Sequence, residues 1–416
     1  MENNIIEILN NKNLINNITS SCLGNVLNGK SISVYCGFDP TADSLHIGSL
    51  LPLRVLSLFK NAGYKTIALI GGATASIGDP SGKNKERTLL NKDEINHNSK
   101  MISNLIKKIV NPDFILNNID WFSQIYFLDF IRDVGKNFNI NNMLDKESVK
   151  KRLETTGLSF TEFSYQLLQA FDFYILMNKY NCRLQIGGSD QWGNITSGID
   201  YINKTMNDKA YGLTFDLLTD SNGKKFGKSE GNNIWLDSKK TDPYDFYQFF
   251  IRLNDKNALL LFKKFVDVSE YEYNQIMDDY TKYPENRLLQ KKLSFELTKW
   301  IHGESVANEM KNASRSIRNI NNINNTVSLK DIKHKKILKS RILEQYNIVD
   351  LLYDNQIVNS KSEIRRLIKG GGIYLNNKRI ETDTYILQIN DAIDIDGEKI
   401  LNIRKGKKDL YTFLIC

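Results

Sequence analysis

Residues 33–49 read Ser-Val-Tyr-Cys-Gly-Phe-Asp-Pro-Thr-Ala-Asp-Ser-Leu-His-Ile-Gly-Ser. An apolar, strand-forming run gives way to a polar loop with Asp39, Pro40, Thr41 and Asp43. His46-Ile47-Gly48 then precedes a helical apolar pattern at Leu50, Leu51, Leu53, Val55, Leu56 and Phe59. A strand that passes through small residues into a helix N-terminus receives phosphate, because unpaired N–H groups and the positive end of the helix dipole point at the ligand. Pro52 fits the first helical turn, where a missing N–H costs little. His46 reads either as a phosphate contact or as a helix cap. Gly48, lacking a side chain, lets a nucleoside lie against the helix start.

A cationic stretch lies far away, Lys225-Phe226-Gly227-Lys228-Ser229. It is not a P-loop: Gly223 and Gly227 are separated by three residues rather than four, and 230–236 reads as loop and strand where a P-loop opens a helix. Two lysines flanking a glycine fit a loop that closes on a triphosphate. On a third segment, 161–180, Tyr165, Gln169 and Asp172 fall at i, i+4 and i+7 and share one helix face. Phe163, Leu167, Ala170, Phe171 and Tyr174 occupy the other. Periodicity alone fits an ordinary amphipathic helix as well as a polar binding face.

These residues need a scaffold. Strands at Ile32–Phe38, at Thr66–Ile70 ending in Gly71-Gly72, and at Arg183–Ile186 ending in Gly187-Gly188-Ser189-Asp190 alternate with helices such as 49–61. That pattern predicts a parallel sheet with right-handed crossovers and a ligand edge at the strands' carboxyl ends. From Asp242 to about Glu309 the pattern is helical and aromatic, and the Asn-rich run 319–328 reads as a linker. A small module follows from Ile348. Ser360-x-x-Glu363 has the form of a capping box, and the helix it opens places Lys361, Arg365 and Lys369 in one row beside Arg366. Gly370-Gly371-Gly372 stops that helix, and Ile373-Tyr374-Leu375 pairs with a following strand through Asn376-Asn377.

A chain of 416 residues accommodates two or three domains, and its 41% hydrophobic and 25% charged composition is that of an ordinary globular protein. The net charge of +8 is concentrated: residues 282–341 carry 14 Lys/Arg against 5 Asp/Glu. Such a segment fits a polyanion or a solvated helical surface. Four scattered cysteines without C-x-x-C spacing point to reduced thiols and no zinc site. No run of 18 apolar residues is present and the start Met-Glu-Asn-Asn lacks a secretory pattern, so a cytoplasmic, membrane-free protein is expected.

In combination, the 39–49 stretch and the 225–229 stretch resemble the two signature motifs of class I aminoacyl-tRNA synthetases, and the residues around them resemble the tyrosyl-tRNA synthetases from about residue 30 to Cys416. The resemblance implies an α/β architecture: a Rossmann-like parallel-sheet catalytic domain (1–220), the lysine loop and an α-helical tRNA-contacting domain (221–325), a linker (326–347) and a small α+β S4 RNA-binding domain (348–416). It implies tyrosine activation by ATP, with Mg²⁺ accompanying the nucleotide and no protein-held metal, then transfer to tRNA(Tyr) by a homodimer. By motif match, Tyr165, Gln169 and Asp79 (in Gly78-Asp79-Pro80-Ser81) hold the substrate's ammonium group. Tyr35 and Asp172 hold its phenol hydroxyl, and Gln191 its carbonyl. Cys36, Gly37, Asp39, Gly48, Ser49, Gly188, Asp190 and Ser229 line the nucleotide site, and His46, Thr41, Lys225 and Lys228 stabilise developing charge. Ser49 stands where the family usually has His or Asn, and Ala75 where it more often has Gly. RNA contacts are expected from Lys361, Arg365, Arg366 and Lys369. A tryptophanyl-tRNA synthetase shares the fold but needs no Tyr35–Asp172 pair. An RNA-binding protein that had lost the chemistry is the alternative of a different class, against which the intact motif residues argue.

Overall fold

The computed structural model describes residues 4–29, 31–81, 90–219, 226, 228–229, 232–319, 334–376, 378–395, 397–406 and 409–416. The chain forms two compact units, Met1–Asp242 with Asn254–Leu289, and Pro243–Leu253 with Gln290–Cys416.

The first unit is built on a six-stranded sheet. Its strands are β1 (Asn17–Ile18), β2 (Ser33–Phe38), β3 (Lys65–Ile70), β4 (Phe114–Asn117), β5 (Cys182–Gly188) and β6 (Tyr211–Phe215), in the spatial order β1-β6-β5-β2-β3-β4. All neighbours are parallel except the edge strand β1, which runs antiparallel to β6. The central strands are buried on both faces, which is why β2 and β3 read as nearly continuous apolar runs. From β2 the chain steps to β3 and β4 on one side, whereas β5 and β6 add on the other. The connectivity therefore reverses between β2 and β5, and a crevice opens there at the strands' carboxyl ends.

Each of the three expected strands is present: β2 starts one residue later than expected, β3 one residue earlier, and β5 gains one residue at its start and two at its end. The expected helix 49–61 is a 3-10 turn, Ile47–Ser49, running into an α-helix, Leu50–Asn61, whose leucines, Val55 and Phe59 are buried. Helix Phe160–Tyr180 differs from the two-sided reading of its sequence. Tyr165 and Asp172 are as buried as Leu167, Phe173 and Leu176, because one face meets the sheet while the polar positions line a cavity. Phe173, Leu176 and Met177 pack with Tyr35, Ile67 and Leu69 in one core cluster.

The stretch expected to form one helical domain, 221–325, is divided between the two units. Helix Asp255–Phe265 belongs to the first. The buried Arg54 guanidinium pairs with Asp267, Lys12 Nζ pairs with the same carboxylate at 2.6 Å, and Lys264 donates to the carbonyl of Asn13. Helix Pro243–Ile251 belongs to the second, where the Phe246 ring meets His302 edge-on at 5.0 Å.

The expected linker is only partly a linker. Residues 320–333 lie outside the described residues, but β9 (His334–Ile337) and helix Lys339–Leu343 are elements of the small C-terminal domain. That domain also contains β10 (Ile373–Leu375), β11 (Lys378–Arg379), β12 (Ile393–Ile395), β13 (Glu398–Lys405) and β14 (Asp409–Ile415), paired as β11-β10-β13-β14-β9 with β12 on β13. Ile337, Ile342 and Tyr346 join its core with Ile364, Ile368 and Phe413. The boundary expected at residue 348 therefore moves upstream to at least His334. The helix expected after Ser360 runs Lys361–Lys369, with Ser360 Oγ accepting from the N–H of Glu363 at 3.2 Å. No described helix is long and apolar enough to cross a membrane.

Candidate active site

A cavity of about 320 Å³ occupies the crevice between β2 and β5. Tyr35, Cys36, Gly37, Asp39, Thr41, Gly48, Ser49, Asp79, Tyr165, Gln169, Asp172, Gly188, Asp190 and Gln191 all line it. His46 does not. Lys225 and Gly227 lie outside the described residues, as do the side chains of Lys228 and Ser229, whose backbone forms β7 (Lys228–Ser229) against β8 (Asn232–Asn233).

The chain that follows that hairpin nevertheless meets the first motif segment. The N–H of Ile47 donates to the carbonyl of Ile234 at 3.0 Å, and the N–H of Leu236 to that of Leu45 at 2.8 Å. Edge to face, the His46 and Trp235 rings lie 6.3 Å apart. Lys240 Nζ sits over the Trp235 ring and pairs with Asp43 Oδ1 at 2.5 Å, and this contact holds the Asp43 carboxyl below the usual carboxylate range.

His46 takes the capping role that was one of its two sequence readings. Its exposed imidazole accepts at Nδ1 from the N–H of Gly48 at 2.9 Å. Gly48 has a reason beyond room for a nucleoside: a Cβ there would fall 2.5 Å from His46 Cε1. Gly188 is constrained likewise, since its Cβ would come within 2.6 Å of Asp190 Oδ1.

At the cavity's inner end, Asp172 is 2% exposed and accepts from Trp121 Nε1 at 2.8 Å and Asn118 Nδ2 at 3.0 Å. Burial pushes its carboxyl up to about 8. Tyr35 Oη is also fully enclosed, and no described residue pairs with it. Burial, then the charge of Asp172, drives that phenol's pKa well above its ordinary value.

From Asp172 the polar network runs towards the loop after β2. Asn118 Nδ2 donates to Thr74 Oγ1 at 3.1 Å, Thr74 Oγ1 to Asp39 Oδ1 at 2.8 Å, and Tyr165 Oη to Asp39 Oδ2 at 2.9 Å. Gly71 makes room for this, because a Cβ there would lie 2.0 Å from Asp39 Oδ1. A second network surrounds Asp79, which accepts from Gln191 Nε2 at 2.7 Å and from the N–H of Ser81 at 3.0 Å. Asn194 Nδ2 donates to Gln169 Oε1 at 3.0 Å and lies 3.3 Å from Gln191 Oε1. Burial raises the thiol of Cys36 to about 12, so a neutral S–H faces the cavity.

Sequence reasoning missed Asn118, Trp121, Thr74 and Asn194, the residues that hold the expected ones in place. Thr74 lies just past the Gly71-Gly72 strand end and Asn194 just past Asp190; Asn118 and Trp121 lie in a segment with no motif. The expected basic row of the small domain is exposed but half neutralised: Lys361 pairs with Asp350 at 2.6 Å and Arg365 with Asp383 at 3.3 Å. Arg366 and Lys369 remain exposed at the end of the helix.

A parallel sheet whose switch point holds a cavity beside a His-Ile-Gly helix entry, with the segment downstream of a lysine motif pinned to that entry, has the architecture of a class I tRNA synthetase. A family model for class I tRNA synthetases (W and Y) matches residues 27–318, and one for the tyrosine--tRNA ligase SYY-like C-terminal domain matches residues 327–414. Tyrosine--tRNA ligase 1 of Bacillus cereus is 43% identical over 98% of this chain and 99% of its own length. The tyrosine--tRNA ligase of Mycoplasma capricolum is 40% identical over the whole of both chains. Among solved structures, the C-terminally truncated mitochondrial tyrosyl-tRNA synthetase of Aspergillus nidulans superposes with a TM-score of 0.69 at 31% identity, covering 76% of this chain and 94% of that one. The chain belongs to the tyrosine--tRNA ligase family.

Proposed function

We propose that the cavity aligns L-tyrosine with ATP, so that the tyrosine carboxylate attacks the α-phosphorus, pyrophosphate leaves, and the tyrosyl group then passes from the adenylate to the 3′ end of tRNA(Tyr). Family membership makes the chain an ATP-dependent aminoacyl-tRNA ligase specific for tyrosine. The residue roles below are our reading of the cavity.

Asp172 and Tyr35 take the phenol hydroxyl, which donates to the carboxylate and accepts from Tyr35 Oη. Tyr165, Gln169 and Asp79 surround the ammonium group, and Gln191 reaches the carbonyl. Cys36, Gly37, Asp39, Gly48 and Ser49 follow the nucleotide, with Gly188 and Asp190 at its ribose. The nucleophile is already an anion, so the reaction needs no general base. Its rate comes from alignment and from donors around the pentavalent phosphorus, roles for Thr41, His46, Lys225, Lys228 and Ser229. Mg²⁺ enters with the ATP phosphates rather than in a cage of protein ligands. Arg366 and Lys369, with Lys361 and Arg365 behind their carboxylate partners, contact tRNA. The protein works in the cytoplasm as a homodimer, and the exposed run Tyr126, Phe127 and Leu128 is apolar surface of the kind a second copy covers.

One observation carries this reading: a buried, unpaired phenol and a buried carboxylate close the same end of one cavity. Phenylalanine would leave Tyr35 Oη without a partner and bring Asp172 no donor beyond those of Trp121 and Asn118, and tyrosyl-tRNA synthetases are themselves the standing example of discrimination by that means. Amino-acid-dependent exchange of pyrophosphate into ATP tests it. Exchange should depend on tyrosine, with phenylalanine and tryptophan far weaker; exchange driven by tryptophan as well as by tyrosine would overturn the assignment.

A further inference from the structure

Gln185 lies on β5 directly opposite Tyr35 on β2, and Gly212 on β6 flanks it from the other side. Across β3, β2, β5 and β6 the row therefore reads Ile67, Tyr35, Gln185, Gly212 on one face of the sheet. This is the face that packs with Phe173, Leu176 and Met177. Gly212 adds nothing polar, since even a Cβ there would fall 2.3 Å from Ile195 Cγ2. Gln185 is thus an amide set into an apolar layer. It is 3% exposed, it lines the cavity, and among the described residues its Oε1 has no hydrogen-bond partner. Tyr35 Oη, its neighbour in the row, shares that condition. Asp172, by contrast, is already held at both oxygens by Trp121 and Asn118.

Two polar atoms without a protein partner, on adjacent strands of one cavity wall, are costly unless something entering the cavity offers them a donor. We infer that Gln185 is a further specificity-determining residue of the amino-acid site, its side-chain carbonyl accepting an O–H donor that the phenol end of the substrate brings. The inference rests on the tyrosine reading given above. The donor is the substrate hydroxyl itself or a water seated beneath it; both present the same O–H to Oε1. An unsubstituted ring supplies neither, so Gln185 acts against phenylalanine alongside Tyr35 and Asp172.

Gln185→Met keeps the volume and removes the acceptor. Steady-state pyrophosphate exchange with tyrosine and with phenylalanine, together with the melting temperature, reads the outcome. The ratio of kcat/KM for tyrosine to that for phenylalanine should fall roughly tenfold. Tyrosine should become the poorer substrate and phenylalanine an unchanged or better one, with the melting temperature held or raised. Parallel losses for both substrates, or an unchanged ratio, would overturn the inference and assign Gln185 to packing alone. If the Met variant does not fold, Gln185→Asn retracts the carbonyl by one methylene and should lower the same ratio. A tyrosine-bound crystal structure supplies the second arm: the hydroxyl, or a water bonded to it, within hydrogen-bond distance of Oε1 supports the assignment, and an Oε1 paired to protein refutes it. Failure of the underlying reading looks different, because wild-type protein would then show no tyrosine-dependent exchange.

Discussion

Tyr165 and Asp39, 126 positions apart in the chain, meet in a 2.9 Å hydrogen bond from phenol to carboxylate. The bond joins the helix behind the cavity to the loop after β2, and through Thr74 and Asn118 it continues to Asp172. The groups proposed for the ammonium and hydroxyl ends of the substrate thus share one network. Tyr165→Phe removes the donor while leaving the ring in place. It should lower kcat/KM for tyrosine about tenfold, mainly through KM, at a stability cost of about 1 kcal/mol. Exchange kinetics and urea titration of the same preparation measure the two effects separately.

Asp172 makes the fold itself pH-dependent. Burial raises its carboxyl to about 8, whereas an unfolded chain loses that proton in the ordinary carboxylate range. Between those limits the folded state holds the extra proton, so this group's contribution to stability declines as pH rises and levels off above about 8. Asp172→Asn has no proton to lose. Its stability relative to wild type should therefore climb from pH 5 to pH 8, with a slope of up to about 1.4 kcal/mol per pH unit. Urea unfolding at a series of pH values gives the difference curve, and a flat difference would mean that the carboxyl ionises normally in the fold.

Gly48→Ala places a methyl carbon 2.5 Å from His46 Cε1. The imidazole must swing away, and its bond from the N–H of Gly48 is lost. Adenylate formation should drop tenfold or more, on the order expected for misaligned reactants. The melting temperature should hardly move, since the ring is exposed. Single-turnover adenylate formation beside a thermal melt is the check.

Removing residues 334–416 takes away the whole small domain, including β9. That truncation should leave tyrosine-dependent exchange within about a factor of three of wild type and abolish most tRNA charging. A cut at 345 should behave worse than one at 333, because it strands β9, Ile337 and Ile342 without the sheet and core they pack into. Solubility and charging assays of the two truncations separate these outcomes.

Much of the scaffold was legible because its signals are local. The runs at β2 and β3 are nearly continuously apolar, β5 is apolar on one face, and each of the three gives way to small or polar residues. The i, i+4, i+7 spacing of Tyr165, Gln169 and Asp172 put them on one face, and all three reach the cavity. What escaped was non-local. Asn118 becomes important only when the chain after β4 turns back over β3, where its amide meets Thr74 and Asp172. Trp121 looked like any core aromatic until its indole N–H found a carboxylate. β9, His-Lys-Lys-Ile, carries one apolar residue at its end and follows an Asn-rich run, so nothing in it spells a strand. Its partner, β14, supplies the reason it forms. His46 could be read two ways because a cap and a phosphate contact ask for the same residue at the same place.

The pairing of β9 with β14 also sets an order of events during synthesis. β14 sits between β13 and β9, so an interior strand of the small sheet is made from residues 409–415, after every other strand of that sheet has been translated. Until it emerges, β9 has no ladder to join and Phe413 is missing from the core. The catalytic sheet is complete once Phe215 has been made. A ribosome stalled before residue 409 would therefore hold a nascent chain able to complete its first sheet but not this second one.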